Sequence, residues 1–307
     1  MPNHHPSLSV IIPTRNRCTN LINLLQTLQQ QTVAPQELVL IDGSDTPLNT
    51  HAAFNHIWQA QNFPATKLIY QHTTQLGSAT QRNQGARLAQ STMLAFIDDD
   101  MLLDAHYLAQ LQQVFRQDPS CMGAMGAIVG AGQQQRSWND LLRRLFLLQR
   151  ENGSGQFSFS GMPLHCYHAR QQLAVAVLNG LAVYRRELFL QFLFDEKLGQ
   201  YAYMEDCDLS YRISQAGHRL LYVPSAVSQH ARSIQERTNL VANRALYLRN
   251  YSYLFFKNFY PKNRLRLLGY LWSVSGLFVE ALLARNGAYL RGYVRGLRAY
   301  YGQRSLS

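Results

Sequence analysis

The 307-residue chain lacks the marks of several common protein classes. Its four cysteines, Cys18, Cys121, Cys166 and Cys207, are scattered, with no CxxC pair and no metal-ligand spacing. That argues against a disulfide framework or a zinc module and for reduced thiols in the cytoplasm. Met1 to Ser7 carries no apolar stretch of signal-peptide length, in keeping with that compartment, and His4-His5 is too short to be a metal site. There is no G-x-G-x-x-G after the first apolar run and no G-x-x-x-x-G-K-[ST] anywhere. A nicotinamide-type dinucleotide site and a P-loop are both disfavoured on that ground. Leu267 to Val279 holds 13 residues without charge, short of the roughly 20 that a transmembrane helix needs.

Charge is scarce as well, and uneven. Charged residues make up only 15% of the chain, yet the net charge is +11. From Tyr251 to Ser307 nine Lys and Arg face one acid, Glu280, a net of +8 that leaves +3 for the first 250 residues. The basic character belongs mainly to the C-terminal tail. A hydrophobic content of 47% is ample for a core, and the length fits one large domain with an extension.

What the sequence does have is centred on Met93-Leu94-Ala95-Phe96-Ile97-Asp98-Asp99-Asp100. A short apolar run reads as a buried strand, here ending in three consecutive acids. Adjacent carboxylates repel one another and are costly to desolvate, so a cation, or a ligand carrying one, is one way to keep them. An acidic turn that stays wet is the other. In parallel sheets, ligands sit beyond the carboxyl ends of the strands, where these acids fall.

The flanking pattern is α/β. Leu8 to Ile12 reads as a first strand closed by Pro13-Thr14-Arg15-Asn16, and Leu21, Leu24, Leu25 and Leu28 mark a helical face. Glu37 to Ile41 is a second strand, ending in Asp42-Gly43-Ser44-Asp45. Strand, helix, strand in about 40 residues is a βαβ unit, and its crossover makes the sheet parallel. Lys67 to Tyr70 reads as a third strand and Gly77 to Gln90 as a helix lying close on the sheet at Gly85. Asp42 can contact a ribose or base, or can simply form the turn. Gly130 to Arg170 is a less patterned insert containing Gln133-Gln134-Gln135 and a helical Leu141 to Leu148, either an acceptor lid or a surface excursion.

These blocks together resemble the family 2 glycosyltransferases of GT-A fold. Val10-Ile11-Ile12-Pro13-Thr14-Arg15-Asn16-Arg17 and Glu37 to Ser44 look like the family's opening, and Gly77 with Arg82-Asn83-Gln84-Gly85 like its next block. Phe96 to Asp100 matches the D-x-D motif, and Asn179 to Leu188 resembles the acceptor-side strand. Phe194-Asp195-Glu196 followed by Glu205 to Arg212 resembles the block of the catalytic acid pair, and His230 stands after the last strand, Leu220 to Pro224. Each block is short; they occur in order and at normal spacing from Leu8 to His230. Two positions depart: Asp42-Gly43 where many members have two adjacent acids, and Met204 where small or polar residues are frequent.

The resemblance implies a GT-A domain over 1–231, a mostly parallel sheet flanked by helices, and a basic helical extension over 232–307. It implies an inverting enzyme with Mg²⁺ or Mn²⁺ on the diphosphate of a nucleotide-sugar donor. Asp100 is then the direct metal ligand, with Asp98 and His230 as further metal positions. Pro13, Thr14, Arg15, Asp42, Arg82, Asp98 and Asp99 surround the donor, although Asp99 points the other way in an extended chain and is a structural candidate within that set. Asp206 is the general base, with Glu205 as its alternate, and the acceptor is a hydroxyl of a growing, lipid-linked glycan. A sugar nucleotidyltransferase is the runner-up, though Pro13 to Asn16 lacks the Gly- and Lys-rich loop it relies on. A degenerate binding subunit is a third class, opposed by the intact acid motifs.

In the tail, Leu290, Val294, Leu297 and Tyr301 form an apolar stripe beside Arg291, Arg295 and Arg298. That pattern reads as a helix at an anionic membrane surface, making the protein peripheral on the inner face of the cell membrane. A helix packed on its own domain with solvated arginines is the alternative. No nucleic-acid motif accompanies the charge.

Overall fold

The computed structural model describes residues 7–130, 138–149, 151–198, 203–231 and 239–304. His4, His5, Gln133 to Gln135 and the expected domain boundary at Arg232 lie outside them. In chain order the elements begin with β1 (Leu8–Thr14), α1 (Cys18–Gln29), β2 (Glu37–Asp42), α2 (Ala52–Ile57), β3 (Lys67–His72) and α3 (Ser78–Leu88). They continue with β4 (Met93–Phe96), β5 (Met101–Leu103), α4 (Tyr107–Gln117), β6 (Cys121–Val129), α5 (Trp138–Leu145), β7 (Gln156–Phe157) and β8 (Pro163–Leu164). The rest are β9 (Leu173–Val175), β10 (Ala182–Arg185), α6 (Glu205–Gln215), β11 (Arg219–His230), α7 (Leu240–Leu254), α8 (Arg266–Leu283) and α9 (Gly287–Arg304). The chain forms two compact units, Met1–Ala131 with Tyr167–Ser233, and Gly132–Cys166 with Ile234–Ser307.

The first unit is a mixed α/β layer structure around a nine-stranded sheet of order β3-β2-β1-β4-β10-β6-β11-β5, with β9 beside β11. Strands β3, β2, β1 and β4 run parallel, as do β6 and β11, while β10, β5 and β9 are antiparallel to their neighbours. Every residue of β1, β2 and β4 is buried, which is why their sequences are continuous apolar runs rather than alternating ones. Helix α1 covers the sheet with Leu21, Leu24, Leu25 and Leu28, one face at i, i+3, i+4 and i+7. Helix α3 lies so close that a Cβ on Gly85 would stand 2.3 Å from Ile11 Cγ2, so only glycine fits there.

This topology gathers the acids. Beyond β4 the chain stays beside β1, with the Ile97 N–H donating to the Ile11 carbonyl. It then turns into β5, whose Met101 pairs with His230 at the end of β11, and the Ala231 N–H donates to the Asp100 carbonyl at 2.7 Å. Asp98 to Asp100 therefore occupy the crossing point of three strand ends.

The second unit combines α5, the β7–β8 pair and α7 to α9. Most of the stretch read from sequence as an insert, Gly130 to Arg170, falls in this unit, and its described backbone is tied to these helices. Trp272 Nε1 donates to the Leu145 carbonyl at 2.7 Å, and the Tyr251 hydroxyl donates to the Ser160 carbonyl at 2.7 Å. The uncharged run from Leu267 is also longer in effect than its sequence promised. It is part of α8, 18 residues and apolar enough by length and composition to cross a membrane. Helix α9 packs on α7 through Gly292 and Gly296, and an added Cβ on Gly296 would stand 2.5 Å from the Ala245 carbonyl oxygen, while buried Tyr293 meets Phe278 of α8 and buried Tyr300 stacks on Phe256. Arg291, Arg295 and Arg298 face solvent. The unit holds sixteen Lys and Arg against four acids, whereas the first holds thirteen against fourteen. The whole positive excess is in the second unit.

Candidate active site

Arg82 is the pin of the acidic cluster. It sits on α3 with its side chain 1% exposed, and donates from Nη2 to Asp98 Oδ1 at 2.5 Å and from Nη1 to Glu205 Oε1 at 2.6 Å. Glu205, on the first turn of α6, also accepts from the Ser78 hydroxyl at 3.0 Å. The guanidinium lies 5.4 Å from the centroid of the Phe194 ring. Arg82, expected near the base or diphosphate, joins the carboxylates of Asp98 and Glu205. Burial opposes its charge, but Asp98 and Glu205 outweigh that and hold it protonated.

A second cation, Arg17, lies between the other two acids of the triplet, 3.1 Å from Asp99 Oδ1 and 3.3 Å from Asp100 Oδ2. Asp99 is buried and also accepts from the Thr14 hydroxyl at 2.8 Å. Burial pushes its carboxyl up to about 6 against the pull of Arg17. Asp99 and Thr14, expected around the donor, thus spend their oxygens on each other. Burial also raises the Asp100 carboxyl, but His230 and Arg17 more than offset it and leave it below the usual carboxylate range. His230 is raised in turn by Asp100, whose Oδ1 stands 3.8 Å from its Nδ1.

Asp42 is not available to a ligand in this structure. It is fully buried, its Oδ1 accepting from the Ser44 N–H and its Oδ2 from the Leu48 N–H and the Tyr70 hydroxyl, each at 2.8 Å. Its carboxylate thereby organises the turn that follows β2. Pro13 is buried at the end of β1, and Arg15 is exposed and paired with Asp45 at 3.1 Å. Next to it Asn16 adopts a left-handed backbone (φ 56°), exchanges hydrogen bonds with Asp45 and donates its N–H to the Ser44 hydroxyl, which locks the two loops together.

Asp206 stands apart from these pairs. Among the described residues no cation lies within ion-pair distance of its carboxylate, which accepts from the Cys207 N–H at 2.8 Å. The side chain keeps partial access to solvent, yet protein surrounds it on most sides. Burial first, and then the Glu205 charge, push its carboxyl up to about 7, against the pull of Arg82. The first turn of α6 is entered through Met204 in a left-handed conformation (φ 71°), an uncommon state for a side chain with a Cβ and one that concentrates at functional sites.

Several neighbours carried no role in the sequence reading. An added Cβ on Gly180 would stand 2.8 Å from both Arg82 Nη2 and Asp98 Oδ2, so its glycine lets the two close on each other. Asn179 Nδ2 and the Tyr184 hydroxyl are buried without a hydrogen-bond partner. Asn83 binds the Phe194 backbone in both directions and donates to Glu196 at 2.9 Å, tying α3 to the loop before α6. The order of motifs pointed to these stretches, but only three-dimensional proximity separates the groups that touch the acids from those that pack.

Among the described residues no three His, Cys, Asp or Glu side chains converge as a group able to hold a metal ion. Asp100 and His230 nevertheless form a carboxylate–imidazole pair at the strand crossing. Mg²⁺ or Mn²⁺ bound through a substrate diphosphate needs only one or two protein ligands, and this donor set fits that use.

The sequence profile described as Glycosyltransferase like family 2 matches residues 5–251. Validoxylamine A glucosyltransferase of Streptomyces hygroscopicus subsp. limoneus is 34% identical over 105 residues, 34% of this chain and 23% of that protein. A PGL/p-HBAD biosynthesis glycosyltransferase of Mycobacterium bovis is 36% identical over 107 residues, 34% of this chain and 40% of its own. The matched part of the chain thus spans well under half of these relatives. GalNAc-T7, solved with UDP, GalNAc and Mn²⁺, superposes with a TM-score of 0.59 at 18% identity, over 83% of this chain and 48% of that one. The mannosyltransferase PcManGT of Pyrobaculum calidifontis, solved with GDP-Man and Mn²⁺, gives 0.57 at 19%, over 99% and 84%. At such identities the likeness speaks for the fold, which is GT-A. With the profile matching most of its length, the chain belongs to glycosyltransferase family 2.

Proposed function

We propose that this chain is an inverting glycosyltransferase that moves a sugar from a nucleotide-sugar donor to a hydroxyl of a lipid-linked glycan, with Asp206 as general base. The observation that carries this reading is the division of labour among the carboxylates. Arg82 pairs with Asp98 and Glu205, Arg17 pairs with Asp99 and Asp100, and Asp206 alone keeps a raised proton affinity without a paired cation. A base with an affinity near the working pH is the one best able to take a proton in the transition state. Glu205, the alternate, serves as an anchor for Arg82, a positioning role.

Asp100 and His230 would hold Mg²⁺ or Mn²⁺, with Asp98 alongside. When bound, such a cation stabilises the negative charge that develops on the diphosphate leaving group. His230 and then Arg17 keep Asp100 ionised, and Thr14 fixes Asp99 behind it. Because the base belongs to α6 and the metal pair to β11 and the β4–β5 turn, acid–base work and leaving-group stabilisation rest on separate elements. The surplus charge of the second unit, with Arg291, Arg295 and Arg298 exposed on α9, supports a peripheral location on the anionic inner face of the cell membrane.

The metal assignment has a direct test. Asp100→Ala is expected to abolish transfer and Mn²⁺-dependent nucleotide binding while the thermal transition stays sharp, read by activity, calorimetry and circular dichroism. Full activity of the wild type in excess chelator contradicts it.

A further inference from the structure

Helix α8 has two apolar faces, and its own unit covers only one. Gly269, Tyr270, Ser273, Leu277 and Ala281 are buried, with Tyr270 stacked on Phe255 at 4.5 Å. Leu268, Leu271, Trp272, Leu282 and Leu283 point the other way. At 100° per residue they fall within an arc of about 120°, a stripe that with Leu265 runs for about 27 Å. Leu268, Leu271, Leu282 and Leu283 are 51 to 67% exposed. Leu141 and Leu145 of α5, 58% and 59% exposed, lie next to the stripe, since Trp272 donates to the Leu145 carbonyl and stacks on Phe146 at 4.8 Å.

The side-chain donors within the stripe are satisfied by the protein's own backbone. The stripe's one hydroxyl, Ser275, donates back to the Trp272 carbonyl at 2.8 Å, and the indole N–H is satisfied by Leu145. Lone exposed leucines are ordinary, but a continuous apolar face of this length marks a binding surface.

Charge decides what binds. Exposed Arg264 and Arg285 stand just beyond the two ends of α8, and the nearest acid, Glu280, lies 3.8 Å from Arg143. A second copy would set sixteen cations and four acids against an identical unit, which electrostatics opposes. A layer of acyl chains beneath anionic headgroups complements both the stripe and its cationic ends. One face of α8 is already committed to its own unit, so the helix lies along such a layer instead of crossing it.

We propose that the outer face of α8, with Leu141 and Leu145, seats this chain in the boundary between headgroups and acyl chains of an anionic bilayer. This rests on the peripheral-membrane part of the function proposed above and names the surface that makes the contact. It also changes the expected behaviour. Attachment through α9 arginines alone is electrostatic and vanishes in salt, whereas an inserted apolar stripe leaves a component that salt does not remove.

The test is flotation of the full chain with vesicles of phosphatidylcholine plus phosphatidylglycerol, and of phosphatidylcholine alone, at low and high salt. The wild type is expected to float with the anionic vesicles at low salt and to keep part of that binding at high salt. Leu268→Gln/Leu271→Gln/Leu282→Gln should lower partitioning on the order of a hundredfold at both salts, because each leucine forfeits the burial of its exposed half. Its melting curve should be unchanged, since these side chains point to solvent. Arg264→Gln/Arg285→Gln should weaken binding about thirtyfold at low salt only. The inference is overturned if the leucine variant floats like the wild type, if the wild type ignores both vesicles, or if it sediments as a dimer that the leucine variant dissolves. Retention in the membrane through alkaline carbonate means that α8 crosses, and also overturns it. Nucleoside diphosphate release in vesicle-free buffer reads the chemistry separately. A protein that hydrolyses donor but never floats refutes this surface alone, and one that floats but hydrolyses no donor refutes the catalytic reading alone.

Discussion

Asp206→Asn is expected to cut turnover by on the order of 10²–10⁴ while donor affinity stays in place, the usual worth of a general base removed without a change of shape. Turnover of the wild type should rise with pH through about 7, since the base must be ionised and burial holds its carboxyl near that value. The same shift fixes the sign of a stability effect. The folded-state value lies above the roughly 3.9 of an unfolded aspartate, so the ionised form costs stability above about pH 7 and costs nothing below about pH 4. Asn removes that cost. The variant should therefore melt higher than wild type at pH 8, with the gain shrinking toward pH 4. Loss of activity joined to a pH-dependent gain in stability is hard to produce by damage to the fold. Normal turnover with weakened donor binding would instead move the base to another group.

Arg82→Gln is expected to lower stability by about 3–5 kcal/mol, because breaking a buried ion pair leaves uncompensated charge behind. The Glu205 leg dominates: Glu205 is 4% exposed, while Asp98 keeps 34% of its side chain in solvent and is partly screened. A urea titration should show an earlier midpoint with an unchanged slope. Adding Glu205→Gln should recover part of the loss by removing the carboxylate that Arg82 orphaned. If the midpoint of Arg82→Gln does not move, the cluster is held by protonated acids and not by the arginine.

Most of the first unit could be read in the sequence because its strands are buried on both faces and its glycines are forced. Leu8 to Ile12, Glu37 to Ile41 and Met93 to Ile97 are continuous apolar runs, and Gly85 marks the closest approach of α3 to the sheet. Strand β6 was invisible for the converse reason. Its Gly123 and Gly126 leave room for Tyr184, Leu220 and Tyr107, and a strand that accommodates its neighbours' side chains shows little β-propensity of its own. At the site, the acids were legible by type and spacing but their partners were not. Whether Arg82 meets a diphosphate or the Glu205 carboxylate, and whether Asp42 meets a base or the Tyr70 hydroxyl, depends on residues far away in sequence. The second unit was least legible. Its packed faces are Gly and Tyr, as at Gly292, Tyr293, Gly296 and Tyr300, while its most apolar stripe is outside, so hydropathy alone inverts inside and out.

The central claim is that the Asp98–Asp100 cluster and Asp206 serve transfer from a nucleotide sugar, and the most direct measurement is product analysis with a panel of donors. The full chain is incubated with individual nucleotide sugars, with and without Mn²⁺, and the released nucleotide is identified. The account predicts slow, Mn²⁺-dependent release of a nucleoside diphosphate from one donor, lost in Asp206→Asn. No diphosphate from any donor, or pyrophosphate formed from a nucleoside triphosphate and a sugar phosphate, would contradict it.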